Sequence, residues 1–360
     1  MDIFIWETLL SACALGDPEN VSLEQAHAKC SFYDPYIGED AGYLQVTRLS
    51  GLGPALLVVP DGKTPFEAYN PILDKADRWG AKPVFTDPTP RGITFEGFYE
   101  WMVHTQAYAE NEWKAARPWN PATVLELAPG ESKTYGLKFL LSDSIRDIEK
   151  TLADNGRPVA IGVPGYIVPQ NIDARLFVKY SSKVKSTTVD PAGALRLEAN
   201  GTLAAGWSAY TIQGKMWGRS RLTITYENGS VQTIQYFVTK PESQVVADMG
   251  RFLTSKAWYE DAEDPFHRSP SVMTYDRELN QIVMQDSRVW IAGLGDEGGG
   301  GAWLAAIMKE LVQPDKGELE KLQQFVDGVL WGGLQYKEGA HAYGVRKSLF
   351  YYQPDEIVLG

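Results

Sequence analysis

Cysteine is nearly absent from this sequence, whose 360 residues include only Cys13 and Cys30. A disulfide between them would close a short loop near the N-terminus, and a reduced protein carries two such thiols equally well. Histidine is scarce too, and His27, His104, His267 and His341 are scattered. With no H-E-x-x-H and no Cys-x-x-Cys, a transition-metal site is not expected, and nothing implies an organic cofactor. A G-x-S-x-G elbow is missing, which removes the usual signature of a serine hydrolase of the α/β type. No apolar run is long enough to span a bilayer, so a membrane partner is not expected. Positive charge is in deficit, with 34 Lys and Arg against 46 Asp and Glu, a net charge of −12 and no basic cluster. A surface so acidic repels phosphate backbones, which excludes nucleic acid as a natural partner.

The N-terminal stretch "MDIFIWETLLSACALGDP" has an apolar patch and small residues from Ser11 to Ala14, as before a signal peptidase site. It lacks a basic start, and Glu7 interrupts its apolar run, so it makes a poor secretion signal. Three sequons, at Asn20, Asn200 and Asn228, nonetheless point to an extracellular protein. Two of them sit on Asn-Gly, the dipeptide of tight hairpin turns, and are expected at the surface.

Aromatic residues are abundant, with 11 Trp and 18 Tyr. Most of them suit core and sheet packing, while some can offer flat apolar faces to the CH-rich faces of sugars. The charged and apolar fractions are those of an ordinary globular protein, and the length suggests two or three domains.

The most conspicuous motif is "RVWIAGLGDEGGGGAWLAAIMKEL", Arg288 to Leu311, which contains Gly293-x-Gly295-x-x-Gly298. By spacing alone it is a dinucleotide fingerprint. Asp296 and Glu297, however, put two negative charges where a pyrophosphate would lie. No second parallel strand ending in an acidic residue follows, and no strand–helix alternation precedes. The remaining readings are a flexible spacer, or a loop at the mouth of a helical barrel offering its carboxylates to sugar hydroxyls. On the second reading Asp296, Glu297, Asp286, Arg288, Tyr275 and Trp303 are the candidate substrate contacts.

From Gly42 to Val238 short β-rich runs dominate, separated by Gly, Pro and Asp. "LAPGESKTYGLKFLLS" reads as strand, turn, strand, and "SRLTITYENGSVQTIQYFV" as a hairpin around Asn228-Gly229. Ser144–Asn155 reads as a short helix with Ile145, Ile148 and Leu152 on one face. After Pro241 the pattern turns helical, with Val245, Met249, Phe252 and Leu253 on one side of a first helix and an αα-hairpin around Pro314. The expected fold is therefore multidomain β plus α. It has a β-sandwich over 1–170, a small immunoglobulin-like β domain over 171–240, and linker helix and helical hairpins over 241–360.

"DPYIGEDAGYLQVTRL", "TPRGITFEGFYEWMVHTQAYAENEW", "SPSVMTYDRELNQIVMQDSRVWIAGLGDEGG" and "YGVRKSLFYYQPDE" resemble large, secreted, mostly fungal proteins of the six-hairpin glycosidase superfamily. The resemblance runs from about Ala26 to the end. It implies that the helical part is the start of an incomplete (α/α)6 barrel. It further implies a glycoside hydrolase using an acid/base pair of carboxylates on an oligo- or polysaccharide, a pair that in such barrels often comes from later helices, here beyond residue 360. The alternative is a non-catalytic carbohydrate-binding or structural β-sandwich protein.

Overall fold

The computed structural model describes residues 2–5, 31–72, 98–111, 113–114, 117–264, 269–276, 280–282, 300–340, 342–344, 346–347 and 358–359. The chain divides into two compact units, Met1–Thr239 and Lys240–Gly360. It is a β-rich multidomain protein.

The first unit opens with strands β1 (Asp2–Ile5), β2 (Ser31–Tyr36), β3 (Tyr43–Arg48), β4 (Ala55–Asp61), β5 (Ala68–Ile72), β6 (Phe98–Met102) and β7 (Gly136–Ser142). They form two antiparallel sheets, ordered β1-β6-β5 and β2-β3-β4-β7. A short helix α1 (Gln106–Glu110) follows β6, and helix α2 (Ile148–Asp154) follows β7. Ile148 and Leu152, one turn apart, pack on Ala55, Leu57 and Val59 of β4. Ile145 does not join them, because Ile145–Asp147 forms a tighter 3-10 turn that rotates it out to solvent. The β-rich run at 123–127 forms no strand, and Val124 and Leu127 are exposed. The next strand in sequence, β7, pairs with β4 alone and is the edge of its sheet.

Strands β8 (Val159–Val163), β9 (Ile167–Pro169), β10 (Asp173–Lys179), β11 (Val184–Asp190), β12 (Leu195–Thr202), β13 (Trp207–Gly214), β14 (Gly218–Tyr226) and β15 (Val231–Thr239) build two four-stranded sheets. Their orders are β12-β13-β10-β8 and β11-β14-β15-β9. Alternate residues of both sheets, among them Leu176, Ile212, Leu222, Ile224, Ile234 and Val238, meet in one buried cluster. The β14–β15 turn is the Asn228-Gly229 turn, with Gly229 at φ +81°. The division expected at 170/171 falls inside this sandwich, since β8 pairs with β10 and β9 with β15. Pro164, Gly165 and Pro169, which look like interdomain punctuation, lie where the chain passes from one sheet to the other.

The second unit begins with helix α3 (Glu242–Leu253). Two small ribbons follow, β16 (Trp258–Tyr259) with β17 (Ser271–Val272), and β18 (Tyr275–Asp276) with β19 (Gln281–Ile282). Helices α4 (Gly300–Val312) and α5 (Lys316–Phe325) form a hairpin, and α5 runs on as a π-helical segment, Val326–Leu334. Ala257, Trp258, Val272, Phe325 and Val329 form its apolar core. The buried surface of α3 is the expected one in part: Leu253 packs on the apolar core, whereas Val245 and Phe252 are exposed and Gly250 is buried. A Cβ at Gly250 would collide with the Glu318 carboxylate and come within 2.9 Å of Lys309 Cε, so glycine allows the hairpin to approach. At that contact Lys309 Nζ bonds Glu318 at 2.8 Å and Glu310 at 3.1 Å. Asp315 completes the knot by capping α5 through the amides of Gly317 and Glu318, while its own amide donates to Glu310.

Candidate functional site

The first unit contains a cleft of about 290 Å³, lined by Pro35, Tyr36, Ile37, Tyr69, Trp119, Tyr166, Thr233, Ile234 and Gln235. Four elements supply it. Tyr36 ends β2, Tyr69 lies in β5, Tyr166 precedes β9, and Thr233 and Gln235 lie on the face of β15 turned away from the sandwich core. Tyr166 is fixed edge-on against Tyr236, with ring centroids 5.5 Å apart, and its hydroxyl donates to the Ala160 carbonyl at 3.0 Å. Tyr36 stacks on Tyr43 at 5.2 Å. Burial pushes the phenols of Tyr36, Tyr69 and Tyr166 above their ordinary range, so they act as neutral hydroxyls.

Trp119 has no regular element to hold it and is tied down by side chains instead. Its carbonyl accepts from Gln235 Nε2 at 2.8 Å and Arg221 Nη1 at 3.1 Å. Its neighbour Asn120 is buried and donates to the Glu67 carbonyl at 2.8 Å. Arg219 lies over the indole ring, 4.5 Å from its centroid. The Trp119 side chain nevertheless remains about one-third exposed (37%).

Glu67, at the start of the β5 region, anchors the same segment from beneath. Its buried carboxylate accepts from His104 N at 2.8 Å, Thr105 Oγ1 at 2.8 Å, Thr123 N at 2.5 Å and Thr123 Oγ1 at 2.9 Å. Glu39 lies nearby in the left-handed region, at φ +57°, and bridges to both Phe66 and Gln232 through its backbone. Burial pushes the Glu39 carboxyl up to about 8, and the charges of Glu67 and Asp40 push in the same direction against Arg221. Glu67 is sealed from solvent, so it orders the loop and cannot touch a polymer.

Of the six residues singled out by the sequence, Asp286, Arg288, Asp296 and Glu297 lie outside the described residues. Tyr275 and Trp303 are brought to one place in the second unit, both packed on its apolar core. Tyr275 meets Phe252 edge-on at 4.9 Å and donates to Asn280 Oδ1 at 2.7 Å, and Trp303 lies 5.6 Å from Phe325. Sequence reasoning missed the cleft. Its aromatics are spread from Tyr36 to Tyr166, and only the sheet pairing collects them. Among the described residues, no group of three or more His, Cys, Asp or Glu is placed to hold a metal, and no helix is long and apolar enough to cross a membrane.

The family of unknown function DUF5695 matches residues 19–359. No curated protein matches the sequence. Among solved structures, a polysaccharide lyase has a similar fold, with a TM-score of 0.61 at 15% identity over 90% of this chain and 43% of that one. The chain thus spans less than half the length of that neighbour, and at this identity the likeness concerns the fold.

Proposed function

The chain belongs to DUF5695, a family of unknown function, and we propose that it is a carbohydrate-active protein whose first unit holds an oligo- or polysaccharide in the aromatic cleft. The observation that carries this reading is the cleft itself, in which Tyr36, Tyr69, Trp119 and Tyr166 converge with Gln235 and Thr233. Flat rings stack on sugar CH faces, while an amide and hydroxyls orient the sugar by hydrogen bonds. A volume near 290 Å³ suits a small part of a saccharide, so a longer chain would run across the surface. The fold it shares with a polysaccharide lyase supports the same substrate class.

Among the described residues, the cleft is lined by aromatic faces, an amide and hydroxyls and by no carboxylate, a lining suited to holding a saccharide. Cleavage is proposed for the complete polypeptide, in which the helical hairpin would be the start of an (α/α)6 barrel. Glycoside hydrolysis there needs an acid/base pair of carboxylates, whose separation sets inversion or retention. Asp296, Glu297, Asp286, Arg288, Tyr275 and Trp303 enter that proposal as its candidate substrate contacts. The sequons at Asn20, Asn200 and Asn228 support a secreted protein.

The test is titration of the chain, by tryptophan fluorescence, with neutral and acidic oligosaccharides, alongside Trp119→Ala. Saturable binding that Trp119→Ala weakens at least about tenfold supports the cleft, whereas a wild-type protein that binds no saccharide overturns it. For the complete polypeptide, new reducing ends without an unsaturated, ultraviolet-absorbing product identify hydrolysis, and the unsaturated product identifies elimination.

A further inference from the structure

The outward face of β14 concentrates positive charge beside the cleft, on a chain whose net charge is −12. Arg219 and Arg221 are successive outward residues of β14, and Arg221 faces the cleft residue Gln235 across the strand pair. Arg117 reaches the same patch from the Trp119 segment, its Nη1 donating to the Arg219 carbonyl at 3.0 Å while Arg219 Nη1 donates back to the Arg117 carbonyl at 3.3 Å. Among the described residues, Asp190 forms the ion pairs of this group, with Arg117 at 3.2 Å and with Arg221 at 3.1 Å, while Glu39 acts on Arg221 from farther away. Arg219 has no carboxylate partner among the described residues. Arg221 is committed to the Trp119 carbonyl and Asp190, and its side chain is only 13% exposed. Arg117 is more open, at 41%.

Pinning the Trp119 segment to the sheet explains the carbonyl contacts, but it does not explain the charge. Neutral donors such as Gln235 already serve the Trp119 carbonyl. Crowded guanidinium groups repel one another, and both Arg219 and Arg221 are held below the ordinary arginine range by burial and by neighbouring arginines. A fold tolerates such a surplus most readily where an anion from outside completes it.

We infer that the cleft selects anionic saccharides, with Arg219 and Arg117 flanking Trp119 to receive the carboxylate or sulfate of a ring bound there. This rests on reading the cleft as a saccharide site and adds its substrate class. A guanidinium presents a planar fork of donors that matches carboxylate or sulfate oxygens two at a time, which an ammonium or an amide does not.

The experiment titrates the full chain with three oligomers of matched length: galacturonate, a sulfated galactan and a neutral galactan. It is repeated for Arg219→Gln and Arg219→Lys. At least one acidic probe is expected to bind about tenfold or more tightly than the neutral one at moderate salt. Which acidic probe wins tells carboxylate from sulfate. Arg219→Gln should erase that preference, read as the ratio of acidic to neutral affinity within the same variant, and Arg219→Lys should restore part of it. Neutral probe bound as tightly as either acidic probe, or a preference that survives Arg219→Gln, overturns the inference and leaves the cleft as a neutral saccharide site. No binding of any probe by the wild type overturns both.

Discussion

At the scale of single residues, two buried carboxyl groups a short distance from the cleft behave in opposite ways. Glu67 is satisfied by four donors from His104, Thr105 and Thr123. Glu67→Gln turns one acceptor oxygen into a donor that faces other donors, and should destabilise the fold by about 2–4 kcal/mol, measured by urea unfolding. Glu39 has its carboxyl raised from 4.5 to about 8 by burial and by the like charges of Glu67 and Asp40. Its folded form holds the proton more tightly than its unfolded form. The stability it contributes is thus complete below about pH 4.5 and is lost as pH rises through about 8. Glu39→Gln should therefore melt like wild type near the acid end and higher than wild type above pH 8. An equal shift at both ends would count against a titrating Glu39. Neither role was legible in the sequence. Glu67 meets its partners 37 to 56 positions away, and nothing in the local run Pro65-Phe66-Glu67-Ala68-Tyr69 marks them. Trp119 and Arg219 were hidden for the same reason, being a hundred positions apart yet stacked.

At the scale of elements, local chemistry was legible where a turn or a period declared it. The Asn228-Gly229 hairpin has matched strand and turn signals, and Ile148 with Leu152 marks the buried face of α2. What failed depended on partners. Residues 124–127 have strand composition yet form no strand beside β7, the edge of its sheet, and the contact of α3 with Lys309 and Glu318 at Gly250 leaves no mark in its apolar pattern. Two substitutions test these packings. In β8, a Cβ at Gly162 would lie 2.8 Å from the Tyr166 ring and 2.9 Å from the Gly165 carbonyl. The backbone cannot yield easily, so Gly162→Ala should push Tyr166 within the cleft. Saccharide binding should weaken several-fold while circular dichroism stays native. In the hairpin, Lys309→Ala leaves Glu310 and Glu318 buried together without their cation. It should cost about 3–5 kcal/mol, read as a lower denaturation midpoint.

At the scale of the whole molecule, the broad class was legible: a β-rich first part and helical hairpins after Pro241 follow from period and turn residues alone. The sharing of sheets across residue 170 was not, because strand order is set by tertiary pairing that leaves no local mark. Charge adds a consequence that belongs to no single element. The chain as a whole carries −12, yet the patch beside the cleft is locally positive. An anionic oligosaccharide approaching from a distance meets the net repulsion, while at contact it meets Arg117 and Arg219. Screening separates the two, since the Debye length falls from about 30 Å at 0.01 M salt to about 10 Å at 0.1 M and about 3 Å at 1 M. Moderate salt removes the long-range repulsion first and the contact attraction later. Affinity for an acidic oligomer should therefore rise between about 0.01 and 0.1 M sodium chloride and fall beyond it, while a neutral oligomer stays flat. Titrations across that range check this. A decline from the lowest salt onward would mean that the local patch governs the field at all distances, and a curve as flat as the neutral one would remove the arginines from recognition.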